Sequence, residues 1–293
     1  MIGSGRRGHQ NGAGPVKPDG ATLDAYGKFT LPQILAEQAK RLGPAHVAIR
    51  EKAYGIWQTV NWEDYFRFVR RTALGLLALG VRRRDSVAIV MNNHPEWLYS
   101  ELGAQAAGCV TVNLFTSSIA DELAEALKRF RPTVVVAQDQ EQVDKLLETR
   151  SRLGFVRSVV YVDPTGMRNY RGDPWLQSFR ELLQRGDALE QEQPQLFPSE
   201  LWRGRPEDVA VMIQTSGTTG LPKLAMLTHR NFTSMARKWI EAAPIGIGSN
   251  WLSITPPAWI VDQMWGAGIA LVGGLSMNFP ETAETIETDF REI

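Results

Sequence analysis

Four short runs of apolar, valine-rich sequence recur between Ser86 and Val162: SVAIVM (86–91), CVTVNLF (109–115), TVVVA (133–137) and VRSVVYV (156–162). The stretches between them carry apolar residues at helical spacing instead: PEWLYSELGAQAAG opening on Pro95, SIADELAEALKRF (118–130) and EQVDKLLETR (141–150). An unbroken apolar run of this length is a strand covered on both faces, and such strands alternating with helices build βαβ units. The expected fold class is therefore α/β, with mainly parallel sheets and helices packed on both faces.

The flanks extend the same reading. TLPQILAEQAKRLG (30–43) places Leu31, Ile34, Leu35, Ala39 and Leu42 on one helical face and stops at Gly43. VAIREKAYGIWQTV reads as two short strands around a glycine-containing turn, and Asn61 as the N-cap of WEDYFRFVRRTALGLLAL, closed by Gly80. A further helix is expected over PWLQSFRELLQRG (174–186). Residues 186–207 are polar and proline-bearing with weak periodicity, which predicts a linker or surface excursion. DVAVMIQ (208–214) then resumes the sheet, followed by the strand LAMLTH and the helix RNFTSMARKWIEAA. Residues 1–22 have charge but no apolar centre, so they read as a disordered tail rather than a secretory signal.

Composition narrows the function classes. Lys+Arg and Asp+Glu both number 32, so nothing in the balance points to nucleic acid or an anionic surface. Arg82–Arg84 and Arg129–Arg131 lie at the ends of helical patterns, where cations suit the dipole and face water. Cys109 is the single cysteine and sits in an apolar run, so it reads as a small buried residue in a protein of a reducing, cytoplasmic setting. Four dispersed histidines offer no transition-metal cluster; His229 and His94 read as local structure at helix starts. The run WGAGIALVGGLSM (265–277) falls short of the ~20 residues that span a bilayer, which leaves peripheral membrane contact open.

The chemistry concentrates in TSGTTGLPK (215–223), directly after the strand VAVMIQ. Gly217 and Gly220 free the backbone to curl and present N–H groups to an anion; Ser216, Thr218 and Thr219 add hydroxyls, and Lys223 adds a compact charge behind Pro222. The plain alternative is a polar turn. The loop is no Walker A sequence, since Leu224 follows Lys223, nor a nucleophile elbow, since Gln214 and Thr218 stand where glycines are needed around Ser216. It has no dinucleotide-binding spacing either.

With the LAMLTHRNF that follows, this loop resembles the phosphate-loop signature of the adenylate-forming superfamily. REKAYGIWQTVNWEDY, LGVRRRDSVAIVMNNHPEWLYSELGAQAAG, DQEQVDKLL and LSITPPAWIVDQ are similar to its long-chain fatty acyl-CoA synthetase branch, from about Thr30 to the last residue. The resemblance implies the large N-terminal domain of an adenylate-forming enzyme over residues 23–293. It further implies ATP, Mg²⁺ and coenzyme A as partners of the reaction, with a carboxylic acid as substrate. On that resemblance Thr215, Ser216, Gly217, Thr218, Thr219, Gly220 and Lys223 hold the ATP phosphates, and Thr219 contacts Mg²⁺.

Two departures stand out. Leu224 replaces the glycine usual after Pro-Lys, either narrowing the space beside the loop or filling a core position. Trp259, in TPPAWI, stands where many relatives have a histidine near the substrate carboxylate; it offers shape and an indole donor there, or packs in the core. The family's later Mg²⁺ acid, ribose aspartate, hinge and lysine-bearing C-terminal lid domain have no match in these 293 residues. The expectation is thus of a partial adenylating domain, inactive alone. The alternative is a catalytically silent module that binds a nucleotide or acyl chain or docks to a partner.

Overall fold

The computed structural model describes residues 15–214 and 224–293. Its first helices are α1 (Gly20–Tyr26), capped by Asp19, and α2 (Leu31–Leu42), where Thr30 and Gln33 form a reciprocal capping box. The hairpin β1 (Val47–Ala53) and β2 (Ile56–Asn61) follows, and the Asn61 side chain accepts from Asp64 N–H to start α3 (Trp62–Ala78). Then come β3 (Ser86–Val90), α4 (Pro95–Ala106), β4 (Val110–Leu114), α5 (Ala120–Phe130), β5 (Val134–Ala137), α6 (Gln140–Glu148) and β6 (Ser158–Tyr161). The middle of the chain continues through β7 (Leu176–Ser178), α7 (Phe179–Glu192), α8 (Leu196–Arg203), β8 (Val209–Gln214), β9 (Leu224–Thr228) and α9 (His229–Ala242). It ends with β10 (Asn250–Leu252), α10 (Ile260–Asp262), a π-helix (Gln263–Ala270), α11 (Leu271–Gly273), β11 (Ser276–Phe279) and α12 (Ile286–Glu292).

The large sheet has the order β7-β6-β5-β3-β4-β8-β9 and is parallel except for β9, which runs antiparallel at the edge. A smaller sheet, β10-β11-β1-β2, is parallel but for the β1–β2 hairpin. Alternate residues of the large sheet feed different cores. Val87, Ile89, Val134 and Val136 pack with residues of α2, α3, α4 and α7, while Ala88, Val90, Val135 and Ala137 pack with α5 and α6. Helices thus cover both faces, as the apolar strand runs required.

Three readings of the sequence need correction. Order begins inside the stretch read as a disordered tail: Val16 bridges to Ile247 and Asp19 caps α1, while residues 1–14 lie outside the described residues. The helix expected from Pro174 starts only at Phe179, because Leu176–Ser178 pairs in parallel with β6 and Ser178 forms a capping box with Glu181. Residues 186–207 are mostly helical rather than a linker. Gly186, where the expected helix gave way to the expected linker, lies inside α7, and a Cβ there would lie 2.1 Å from the carbonyl oxygen of Arg71. It is a close-approach position where α7 crosses α3, locked by two bonds from Arg71 to Asp187 at 2.6 and 2.5 Å. α8 then buries Phe197 and Leu201, and Gln33 ties its end through Leu201 O and Gly204 O.

Candidate active site

The residues expected to hold the ATP phosphates, Thr215, Ser216, Gly217, Thr218, Thr219, Gly220 and Lys223, lie outside the described residues, and the strand ends on either side of them are described. Gln214 ends β8 and Leu224 begins β9, and the two are register partners in an antiparallel pair. β8 also pairs in parallel with β4, so the segment leaves and re-enters the sheet at one place. Leu224 is 40% exposed, so it does not fill a core position.

Beside those anchors is a cavity of about 1110 Å³. Ile213, Ala225 and Leu227 of the β8–β9 pair form one wall, Leu114 and Phe115 at the end of β4 another, and Leu123 of α5 a third. The fourth is residues 258–261, including Trp259. Trp259 is 52% exposed, so it is not packed in the core; it precedes α10, and its N–H donates to Pro256 O at 2.8 Å. Among the described residues, charges enter from α5 alone, as Asp121, Glu122, Glu125 and Arg129. The interior is an apolar chamber suited to a hydrocarbon or aryl body.

Two polar clusters, centred on the buried carboxylates of Asp262 and Glu101, fix the segment that carries Trp259. On one side Asn93, just past β3, donates from Nδ2 to Ser253 Oγ at 2.7 Å, Thr255 O at 2.8 Å and Asp262 Oδ2 at 2.5 Å. Asp262 also accepts from Ser253 Oγ at 2.7 Å and Trp251 Nε1 at 3.0 Å. Burial pushes its carboxyl above the usual carboxylate range, against the pull of those donors. On the other side Gln263 donates from Nε2 to Pro257 O and to Glu101 Oε2, both at 2.9 Å. The Glu101 oxygens also accept from Trp97 Nε1 at 2.8 Å, Asn113 Nδ2 at 2.9 Å and Gln105 Nε2 at 3.3 Å. Its carboxyl is pushed up by burial, since no cation faces it, and the four donors offset this only in part.

Sequence reading missed Asn93, Asp262, Gln263 and Glu101. A signal existed for Glu101. PEWLYSELGAQA is apolar nearly all round past its first turn, so a charge in its middle, unlike Glu96 at its start, had no exposed face to occupy. The π-helix begins at Gln263; Trp265, on it, stacks on Trp251 at 4.4 Å and tilts against Trp239 at 5.3 Å. Extra-wide helical turns of this kind are frequent at functional sites.

The remaining candidates are structural. His229 opens α9 behind the Thr228 cap, accepts Leu31 N–H at 3.2 Å through Nδ1, and is pushed down to about 3 by burial. His94 precedes α4 without capping it and meets Glu51 at 3.1 Å; burial lowers its pKa, but Glu51 together with the charges of Glu96 and Asp139 outweighs it, and the net displacement is upward. Cys109 is buried, and desolvation pushes its thiol up to about 12, so it is inert. Among the described residues, no group of three or more His, Cys, Asp or Glu side chains could hold a metal ion. Among them, too, no helix is long and apolar enough to cross a membrane.

The sequence profile of the AMP-binding enzyme family matches residues 35–292. The chain belongs to that family. Long-chain-fatty-acid–CoA ligase ACSBG1 of Bos taurus is 30% identical over 225 residues, 76% of this chain and 28% of its own. Long-chain-fatty-acid–CoA ligase heimdall of Drosophila melanogaster is 29% identical over 218 residues, 73% of this chain and 32% of its own. The chain thus spans less than a third of either relative. Two solved structures share the fold. The N-terminal domain of FACL13 from Mycobacterium tuberculosis, with an inhibitor bound, superposes with a TM-score of 0.73 at 20% identity, covering 90% of this chain and 61% of that one. An anthranilate CoA ligase, AuaEII, in complex with anthranoyl-AMP also gives 0.73 at 18% identity, over 89% of this chain and 47% of that one. The AMP-binding family fold is therefore established, with the α/β architecture expected from the strand and helix alternation.

Proposed function

We propose that this chain serves the ATP-dependent activation of a carboxylic acid, a long-chain fatty acid by similarity to its relatives, to acyl-adenylate and then to acyl-CoA. A carboxylate oxygen attacks the α-phosphorus of ATP and pyrophosphate departs; the thiol of coenzyme A then attacks the acyl carbonyl and AMP departs. The observation that carries this reading is the juxtaposition of two features. The segment TSGTTGLPK spans a paired strand end, Gln214 to Leu224, and the same strand pair walls an apolar cavity of about 1110 Å³.

In this reading the hydroxyls of Ser216, Thr218 and Thr219, the backbone at Gly217 and Gly220, and the Lys223 ammonium hold the β- and γ-phosphates, with Thr215 at the entry to the loop. Their task is to stabilise charge that develops on the leaving pyrophosphate. Mg²⁺, which Thr219 would contact, supplies charge neutralisation on the same phosphates when bound. The acyl body lies in the cavity, and Trp259 closes it with an apolar face and one N–H donor. The Asn93–Asp262 and Glu101–Gln263 bonds hold Trp259 at that position.

The test is binding first and chemistry second. Titrated with ATP, Lys223→Ala weakens binding about tenfold, the worth of one charge-assisted hydrogen bond. In the complete protein, since this chain by itself is expected to supply only the phosphate-loop half, carboxylate-dependent exchange of labelled pyrophosphate into ATP falls on the order of 10²-fold, while transfer from a preformed acyl-adenylate to coenzyme A falls much less. Equal losses in both half-reactions, or unchanged ATP binding in Ser216→Ala and Thr219→Ala, would make the loop a structural turn.

A further inference from the structure

A second groove lies far along the large sheet from the β8–β9 pair, at the carboxyl ends of β6 and β7. It has a volume of about 660 Å³ and is bounded by Tyr161 and Val162 after β6, the short turn Met167–Tyr170, and Ser178 at the end of β7. In parallel sheets this is the edge on which ligands are bound. The groove is polar, and three arginines line it: Arg168, Arg171 and Arg180.

Their neighbours make the contrast. Arg150 pairs with Asp173 at 2.7 Å and lies over the Trp175 ring at 4.8 Å. Arg152 pairs with both Asp121 and Glu125. None of the three groove arginines makes an ion pair or a side-chain hydrogen bond among the described residues. One acid, Glu181, shares the groove, and its carboxylate is already engaged by Ser178 N–H and Oγ–H, both at 2.7 Å. Those bonds, ahead of Arg180, hold Glu181 below the usual carboxylate range, so it is ionised. Three guanidinium forks therefore stand against one committed carboxylate, beside the start of the 14-residue helix α7. Guanidinium matches phosphate oxygens two at a time, and a helix start favours the same charge.

We propose that this groove binds a phosphate group carried on a larger organic body, with Arg168, Arg171 and Arg180 as its ligands. The volume exceeds what one phosphate fills, and Val162, Pro164, Met167 and Leu176 offer the attached body an apolar wall. The site lies at the opposite edge of the large sheet from the β8–β9 pair and does not depend on the function proposed for residues 215–223. A soluble phosphate ester and a phospholipid headgroup present the same chemistry, and the experiment distinguishes them.

The parent for the test carries Lys223→Ala, so that phosphate binding at the loop is suppressed. Inorganic pyrophosphate is titrated into this parent and into the same chain with Arg168→Gln, Arg171→Gln and Arg180→Gln. Sedimentation with vesicles of phosphatidylcholine doped with phosphatidic acid, against phosphatidylcholine alone, forms the second arm. Binding falls tenfold or more in at least one arm. A fall confined to the titration assigns a soluble ligand, and one confined to the vesicles assigns a headgroup. The double variant Arg168→Gln, Arg180→Gln, with its unfolding midpoint measured, replaces the triple one if the latter misfolds. Equal binding by parent and variants in both arms, or no binding by the parent in either, overturns the proposal.

Discussion

Two carboxylates of this protein are equally shut out of water, Glu101 under the large sheet and Asp289 against the small one, and they are held in opposite ways. Glu101 faces only neutral donors: an indole N–H and three side-chain amides. Asp289 meets the Lys52 ammonium at 2.7 Å, with Thr285 Oγ at 2.6 Å and Glu281 N–H at 3.1 Å completing its shell. Burial pushes both up, but at Asp289 the lysine and its companions outweigh it and the net displacement is downward. The contrast separates two uses of a buried acid. Asp289 and Glu292 of α12 staple that helix to the β1–β2 hairpin through Lys52 across more than 230 residues of chain. Glu101 gathers amides from α4, β4 and the π-helix around one point and fixes the segment that leads to Trp259.

The largest expected effect breaks the staple. Lys52→Met leaves Asp289 buried with a hydroxyl and one N–H, and the thermal unfolding midpoint falls by about 10 °C. Adding Asp289→Leu restores most of the loss, because an apolar pair needs no counter-charge. Lys40→Ala, which removes an exposed pair with Glu37, is the control. If Lys52→Met moves the midpoint no further than that control, Asp289 is not held by its cation and the contrast disappears.

Much of this arrangement was legible in the sequence, and the rest was hidden for a physical reason. The strands β3 to β6 and the cap at Asn61 followed from apolar runs and from an amide residue placed just ahead of a helical pattern, which are local signals. α8 and the α3–α7 crossing were not legible, because Gly186 signals a break locally and serves instead as a contact between elements far apart in sequence. Short β7 was masked in the same way, since its three residues pair with β6 only by a tertiary connection. At the site, the loop motif could be read as a string, and its anchoring on one strand pair beside an apolar cavity could not. Lys52–Asp289 and Glu101–Gln263 join residues separated by 237 and 162 positions, so no window of sequence contains them.

The next effect concerns the amide cluster. Glu101→Ala takes the acceptor from Trp97 Nε1 and Asn113 Nδ2, both buried, and costs about 3 kcal/mol in denaturant unfolding, since stranded donors retain their full desolvation penalty. It also releases one of the two bonds of Gln263, so quenching of Trp fluorescence by acrylamide rises as the 257–263 segment loosens. Glu101→Gln behaves differently. Its amide oxygen can replace Oε2, which accepts from Trp97, Asn113 and Gln263. Its NH₂ then meets Gln105, whose Oε1 has no partner and becomes the acceptor when that amide turns. Equal destabilisation by alanine and glutamine would mean that the charge itself is required at Glu101, as it is at Asp289.

The smallest effect, and the sharpest on sign, is the pH dependence of that glutamine variant. Glu101 has a folded pKa above its ordinary 4.5, so the folded state holds its proton more tightly than the unfolded chain. Its contribution is full below 4.5 and declines as pH rises through the folded value. Asp289 runs the other way: its contribution is present above 3.8 and is lost as pH falls through its lowered value. His229, at about 3 when folded against 6.5, likewise loses stability as pH falls below 6.5. Subtracting wild type from Glu101→Gln at each pH cancels Asp289 and His229, which both proteins share, and isolates the one acid. The difference therefore moves in favour of the variant from pH 4.5 toward 7, with a slope of at most about 1.4 kcal/mol per pH unit. A difference that stays flat would show Glu101 ionised with no penalty, its four neutral donors then serving as well as the lysine at Asp289. One that moved in favour of wild type would place its pKa below 4.5 and merge the two carboxylates into one kind.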